Sequence, residues 1–102
     1  MMKDTPVTFV NVIEVDPARQ RELAAILSEG YERVIRHRPG FLLGTVLASA
    51  DGKHVVNVAT WRAADDIQAT RRDPEAAAYA TRTAEIADAR PMICHVIAEY
   101  RP

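Results

Sequence analysis

Segments of strand period and helix period follow one another along this chain in the order strand, helix, strand, strand, helix, strand, and that order leaves few folds open. Residues 6–15 read as the first strand. Asp16-Pro17 then supplies a side-chain acceptor with proline at the first helical position, the signature of a helix start. Leu23, Ile26, Leu27, Gly30 and Val34 are spaced for one apolar face, so the predicted helix runs to about His37, where Pro39-Gly40 ends it. A second strand over 41–49 places Phe41, Leu43, Thr45 and Leu47 on one side and Leu42, Gly44, Val46 and Ala48 on the other. Ser49-Ala50-Asp51-Gly52-Lys53 reads as a hairpin turn into a third strand, His54 to Trp61. An alanine-rich helical stretch over 63–88 is interrupted by Asp73-Pro74, a second cap-plus-proline pair that restarts the helix at an angle. The last strand is expected over 91–100.

The pattern βαββαβ is that of a ferredoxin-like α+β fold, in which the first and third strands are central, adjacent and antiparallel. One domain over 1–102 is expected, because 102 residues with 48% apolar content give a single core of modest size. The second, third and fourth strands are apolar on both faces, while two helices can cover only one face of the sheet. The other face is therefore expected against a second copy, making a homodimer, a dimeric α+β barrel.

Composition excludes several classes of function. Net charge is −1 and no basic cluster interleaves with aromatics, so neither nucleic acid nor an anionic membrane surface is an expected partner. Apolar runs are far shorter than a membrane span, and Met1-Met2-Lys3-Asp4 has no apolar core of a signal peptide, so a cytoplasmic location is expected. Cys94 is the single cysteine, which leaves no disulfide framework and no thiolate metal site. The chain carries no glycine-rich phosphate loop, no HExxH and no nucleophile elbow.

Against this background two asparagines and a tryptophan stand out. Asn is depleted in strands, and a buried amide without partners costs roughly 1–3 kcal/mol. Yet Asn11 interrupts the first strand, sharing a face with Phe9 and Ile13, and Asn57 and Trp61 point the same way on the third. Neighbouring strands lie about 4.8 Å apart, so both amides could reach one ligand. Two readings compete: a buried Trp plugging the core with Asn57 bonding a turn or bulge, or a ligand-facing trio on an apolar wall.

These same residues resemble the antibiotic biosynthesis monooxygenase family. The resemblance rests on Thr8-Phe9-Val10-Asn11 in the first strand, Pro39-Gly40-Phe41 at the turn into the second, and Val56-Asn57-Val58-Ala59-Thr60-Trp61 closing the third. It covers roughly 6–100 and is nearest to the anthrone and anthracyclinone oxygenases of aromatic polyketide pathways. The resemblance implies a small dimeric protein that oxidises a hydroxylated polycyclic aromatic to a quinone with dioxygen and no cofactor. Asn11, Asn57 and Trp61 are then the catalytic candidates, and Phe9, Tyr31, Tyr79, Arg82 and His95 the substrate-binding ones, with no metal. The haem-degrading branch would need a histidine on the second helix; the matching stretch is Ala76-Ala77-Ala78-Tyr79-Ala80, and no His lies between Trp61 and His95. A phenol-contacting Tyr early in that helix is also missing, which leaves Tyr79 and Tyr31 to take its place. The alternatives are a non-catalytic small-molecule-binding or assembly module, and a polyketide cyclase or isomerase on the same fold.

The remaining polar residues have plainer readings. His37 is a helix C-terminal cation, His54 an exposed strand residue, Arg71-Arg72 a solvated helix face, and Asp65 and Asp66 first-turn helix charges. Cys94 reads as inert packing. His95, alternating with Ile93 and Ile97, reads as a core or interface histidine or as the sole candidate for a base.

Overall fold

A computed structural model describes residues 5–102; Met1 to Asp4, on which the leader argument rests, lie outside the described residues. Strand β1 (Val7–Val15) is followed by a single 3-10 turn (Pro17–Arg19), helix α1 (Gln20–Arg33), a second 3-10 turn (Ile35–His37), strands β2 (Phe41–Ala48) and β3 (His54–Trp61), helices α2 (Ala64–Arg71) and α3 (Pro74–Ile86), and strand β4 (Ala87–Cys94). The four strands form one antiparallel sheet in the order β2-β3-β1-β4, so β1 and β3 are the central pair, as the βαββαβ pattern predicts.

Both Asp-Pro pairs act as helix starts. The Asp16 carboxylate accepts from the Ala18 amide at 2.9 Å, and the Asp73 carboxylate accepts from the Ala76 amide at 3.1 Å, opening α3. Arg38 ties the turn after α1 to this junction, 3.5 Å from Asp73 and within 3.3 Å of the Thr70 hydroxyl. At the other end, Gln20 donates to the Ser49 and His54 carbonyls at 3.0 and 2.9 Å, pinning the start of α1 to the β2–β3 hairpin.

The helices cover one face of the sheet. Along β1 that face carries Val7, Phe9, Asn11, Ile13 and Val15, and the register brings Trp61, Ala59, Asn57 and Val55 of β3 opposite the first four. The buried side chains separate into two clusters. One gathers Val7, Ala59, Trp61 and Ile67, with Phe9, Tyr31, Ile35 and Phe41 against it. The other gathers Ile13, Val15, Leu23 and Val55, with Leu27, Val46 and Ile86 against it. Asn11 and Asn57 occupy the rung between them. The core is split in two by a pair of amides.

The opposite face carries Val10 and Val12 of β1, Val56 and Val58 of β3, Leu43 and Leu47 of β2 and Met92 of β4, and among the described residues no helix packs on it. Leu43, Leu47 and Met92 are exposed there.

The helices end earlier than the sequence reading places them, α1 at Arg33 with only a 3-10 turn reaching His37 and α3 at Ile86 rather than at 88, and two strands differ as well. In β2 the pairing slips between Phe41 and Leu43: Phe41 pairs with Trp61 while Leu43 pairs with Thr60. One extra residue, Leu42, is inserted, so Phe41 lies on the helix side with Gly44 and Val46 rather than beside Leu43. The last strand is β4 over Ala87–Cys94, not 91–100. Its early half, Ala87-Asp88-Ala89-Arg90, has weak strand propensity but pairs with Val15 to Val12, and that pairing prevails over propensity. Beyond Cys94 the ladder stops, because continuing the register would bring His95 to Val7 and Val96 to Pro6, which has no amide to give. Residues 95–102 leave the sheet, and Val96, Ile97 and Tyr100 are exposed.

Candidate active site

A cavity of about 500 Å³ opens at the split in the core, between the sheet and α1, α2 and α3. Its inner wall is formed by buried residues: Trp61 and Ala59 of β3, Ile67 and Thr70 of α2, and Gly30 of α1. The exposed lining residues, Ala77, Ala80 and Thr81 of α3 with Ala89 and Pro91 of β4, mark the mouth between α3 and the edge strand. Pro91 is tolerated because β4 is an edge.

Asn11 and Asn57 face each other across β1 and β3 on the cavity floor. They differ in partners. The Tyr31 hydroxyl, reaching down from α1, donates to Asn57 Oδ1. Asn11 Oδ1 is buried and has no hydrogen-bond partner among the described residues. Such an atom costs about 1–3 kcal/mol unless a ligand or water satisfies it. Burial pushes the Tyr31 phenol up to about 12, with the bond to Asn57 opposing that shift. The phenol therefore stays protonated through the neutral range and serves as a donor rather than a base.

Trp61 is only 3% exposed, yet it lines the cavity. Phe41 meets its ring edge-on, with centroids 5.4 Å apart and planes at 82°. Tyr31 packs on the far side of Phe41 at 5.8 Å. This aromatic sequence is built by the bulge, which brings Phe41 to the helix side.

Tyr79 also lines the cavity, but its hydroxyl is committed to Glu29, at 2.8 Å. Arg82 completes the cluster, 3.2 Å from the same carboxylate and with its guanidinium 5.3 Å from the Tyr79 ring centroid. The Tyr79 bond, and after it Arg82, hold the Glu29 carboxyl below its usual range, and the same bond raises the Tyr79 phenol. Tyr79 can lie this close to α1 because residue 30 is glycine: a Cβ there would meet Tyr79 Cγ at 3.2 Å.

Of the sequence-predicted site residues, the fold gathers Phe9, Asn11, Tyr31, Asn57, Trp61 and Tyr79 around one cavity. Arg82 does not line it; it faces a separate surface groove with Arg19, Glu22 and Glu29. His95 follows the end of β4 and is exposed, so the structure corrects its placement on a strand facing an apolar layer. Arg71, exposed as its sequence suggested, also lines the cavity, with its guanidinium 5.9 Å from the Phe9 ring centroid. The signal for it was present: Ile67, Thr70 and Arg71 are spaced three and four apart on α2, which places them on one face. Among the described residues no group of three or more His, Cys, Asp or Glu is placed to hold a metal ion, and no helix is long and apolar enough to cross a membrane.

With this geometry in hand, comparison with known proteins places the chain. The profile of the antibiotic biosynthesis monooxygenase family matches residues 6–82. The chain belongs to that family. It is 39% identical over 89 residues to tetracenomycin-F1 monooxygenase of Streptomyces glaucescens, covering 87% of this chain and 80% of the relative. Among solved structures it is similar to the monooxygenase of the gene ActVA-Orf6 of Streptomyces coelicolor in complex with nanaomycin D. There the TM-score is 0.82 and the identity 27%, over 97% of this chain and 94% of the other. It also shares its fold with SnoaB, a cofactor-independent oxygenase of Streptomyces nogalater, at TM-score 0.75 and 24% identity, covering 93% and 96% of the two chains. The four-stranded ferredoxin-like α+β fold is thus that of its family.

Proposed function

We propose that this protein is a cofactor-independent oxygenase that converts a hydroxylated polycyclic aromatic, anthrone-like or hydroquinone-like, into a quinone with dioxygen. The observation that carries the reading is the amide rung with Trp61 beside it, set in a largely apolar cavity of about 500 Å³. A cavity of that size suits a fused-ring ligand. Relatedness to tetracenomycin-F1 monooxygenase, and to an ActVA-Orf6 product that holds nanaomycin D, supports the same class of substrate.

The chemistry asks the protein for binding and charge stabilisation. With an anthrone-like substrate, loss of a proton from the ring methylene leaves a carbanion delocalised onto the ring oxygen. One electron passes to dioxygen, and the resulting radical and superoxide join in a C–O bond. Proton uptake gives a hydroperoxide; breakage of its O–O bond with loss of the second C–H proton releases water and leaves the carbonyl. One oxygen atom ends in the quinone and one in water, and the substrate supplies every electron. Asn11 and Asn57 are placed to bind ring oxygens as charge develops on them, a role worth about 3–4 kcal/mol per donor in well-studied cases. Trp61 offers a flat apolar wall for the rings and an indole N–H for the peroxide. Tyr31 stays protonated, so the proton leaves to solvent or is lost from an acidic substrate before it binds.

We further propose that the functional unit is a homodimer. The helix-free face presents Val10, Val12, Leu43, Leu47, Val56, Val58 and Met92 together, and a second copy would bury it.

Oxygen uptake by metal-free protein with anthrone or a naphthohydroquinone tests the reaction. With anthrone, one dioxygen consumed per quinone formed, with one of its atoms retained in the quinone and no hydrogen peroxide released, is the expected result. Activity that vanishes with a chelator or that requires added flavin would overturn the cofactor-free chemistry, and ligand binding without oxygen uptake would leave a binding module.

A further inference from the structure

The cavity is electrically one-sided. Among the described residues Arg71 is the only charged side chain that lines it, and no Asp or Glu does. Glu29, the carboxylate bonded to Tyr79, belongs to the separate surface groove and already has Arg82 as its counter-ion. Arg71 itself forms no ion pair among the described residues. Its own helix offers none, because the positions three and four before it are Gln68 and Ile67. The end of α2 favours a cation through the helix dipole, but Arg72, the next residue, supplies that charge without lining the cavity. The guanidinium of Arg71 stands instead 5.9 Å from the Phe9 ring centroid. Phe9 and Asn11 share a face of β1, two residues and about 7 Å apart, so the cation lies close to the amide rung.

We propose that Arg71 is a specificity-determining residue that receives a carboxylate carried on an outer ring of the ligand, so that the site takes fused-ring acids in preference to their neutral counterparts. This inference rests on the reading of the cavity as a fused-ring site and names the substituent that site prefers. A guanidinium is a planar fork of donors that meets the two oxygens of a carboxylate with parallel bonds. The walls around it are mostly apolar, which strengthens the attraction over its value in open water. Because Arg71 is exposed, the carboxylate keeps part of its hydration and no uncompensated charge is buried. With the rings against Trp61 and the acid end held by Arg71, the ligand has one orientation, which decides which ring oxygen meets Asn11 and Asn57.

Anthraquinones test this without the oxygenation step, because they are already oxidised. Trp61 is the single tryptophan and lines the cavity, so quenching of its fluorescence reports binding directly. The probes are anthraquinone-1-carboxylate and anthraquinone-2-carboxylate, each paired with its carboxamide, which keeps the shape and loses the charge. At least one acid is expected to bind about fivefold or more tighter than its amide at low salt, and added salt should weaken the acid alone. In Arg71→Gln the ratio should fall below about twofold with affinity for the amide unchanged, and Arg71→Lys, which keeps the charge and loses the fork, should give an intermediate ratio. Arg72→Gln removes the neighbouring charge and should leave the ratio intact. A ratio that survives Arg71→Gln, or that falls as far in Arg72→Gln, overturns the proposal. Equal binding of acid and amide by the unmodified protein overturns it too, and in each of these cases the fused-ring reading stands. Absence of binding by any of the four compounds refutes both.

Discussion

Gly44 and Tyr31 occupy space that neither could share with a larger neighbour: a Cβ on Gly44 would fall 2.5 Å from Tyr31 Cε1 and 3.0 Å from Tyr31 Cζ. The glycine leaves a notch in β2, and the tyrosine ring lies in it on its way from α1 to Asn57. Gly44→Ala should therefore cost about 1–3 kcal/mol of stability, because the ring must leave its place. The check is a double-mutant cycle by urea unfolding. In a Tyr31→Ala background most of the Gly44→Ala cost should disappear, and full additivity would show that the ring is not what the methyl meets.

For the reaction, Asn57→Ala and Trp61→Phe are each expected to lower kcat more than tenfold, equivalent to about 1.4 kcal/mol of transition-state stabilisation. The reason is that amide and indole donors bond most strongly to charge that appears only after deprotonation and oxygen attack. Steady-state oxygen uptake measures this, with thermal unfolding confirming that each variant is folded. Rates within threefold of the unmodified protein would remove both residues from the chemistry.

The Glu29–Tyr79–Arg82 cluster predicts a pH dependence of stability. Glu29 is held below its ordinary value of 4.5, first by the Tyr79 hydroxyl and then by Arg82, so its contribution is present above that value and lost as pH falls through the folded one. Tyr79 is raised above its ordinary 10.0, chiefly by the bond to Glu29, so its contribution is present below that value and lost as pH rises past it. The urea midpoint of the unmodified protein should exceed that of Glu29→Gln by a constant amount from about pH 6 to 9. The gap should narrow on further acidification. A gap that widens in acid would contradict the assignment.

Val58 lies near the middle of the helix-free face, opposite Val10 and beside Thr45. Val58→Glu should leave the protomer folded by circular dichroism and convert a dimer to a monomer in sedimentation at micromolar concentration. An unmodified protein that is already a well-behaved monomer would count against the dimer.

How far the sequence reaches is clearest residue by residue. The strand order follows from βαββαβ, and the helix break from Asp73-Pro74, because topology and proline stereochemistry are local or combinatorial constraints. The placement of Asn11 opposite Asn57 follows as well, since alternation fixes the face of each. Alternation fails at Leu42, because an inserted residue leaves no mark in the uniformly apolar run Phe41-Leu42-Leu43. It also fails for the start of β4, where Asp88 and Arg90 join the sheet through pairing alone. The sequence reading sets Arg82 at the site and Arg71 on a solvated face; in the fold Arg71, one turn after Ile67 on α2, lines the cavity, while Arg82 pairs with Glu29.

A core divided by two amides is a protein held below the stability its fold could reach. Filling the rung with an aliphatic side chain, as in Asn11→Leu, would remove an unsatisfied carbonyl and join Phe9 to Ile13 in one continuous apolar column. The change should raise the melting temperature and abolish turnover together. Selection for a sturdier fold and selection for the reaction then pull this position in opposite directions, and the asparagine records which of them has prevailed.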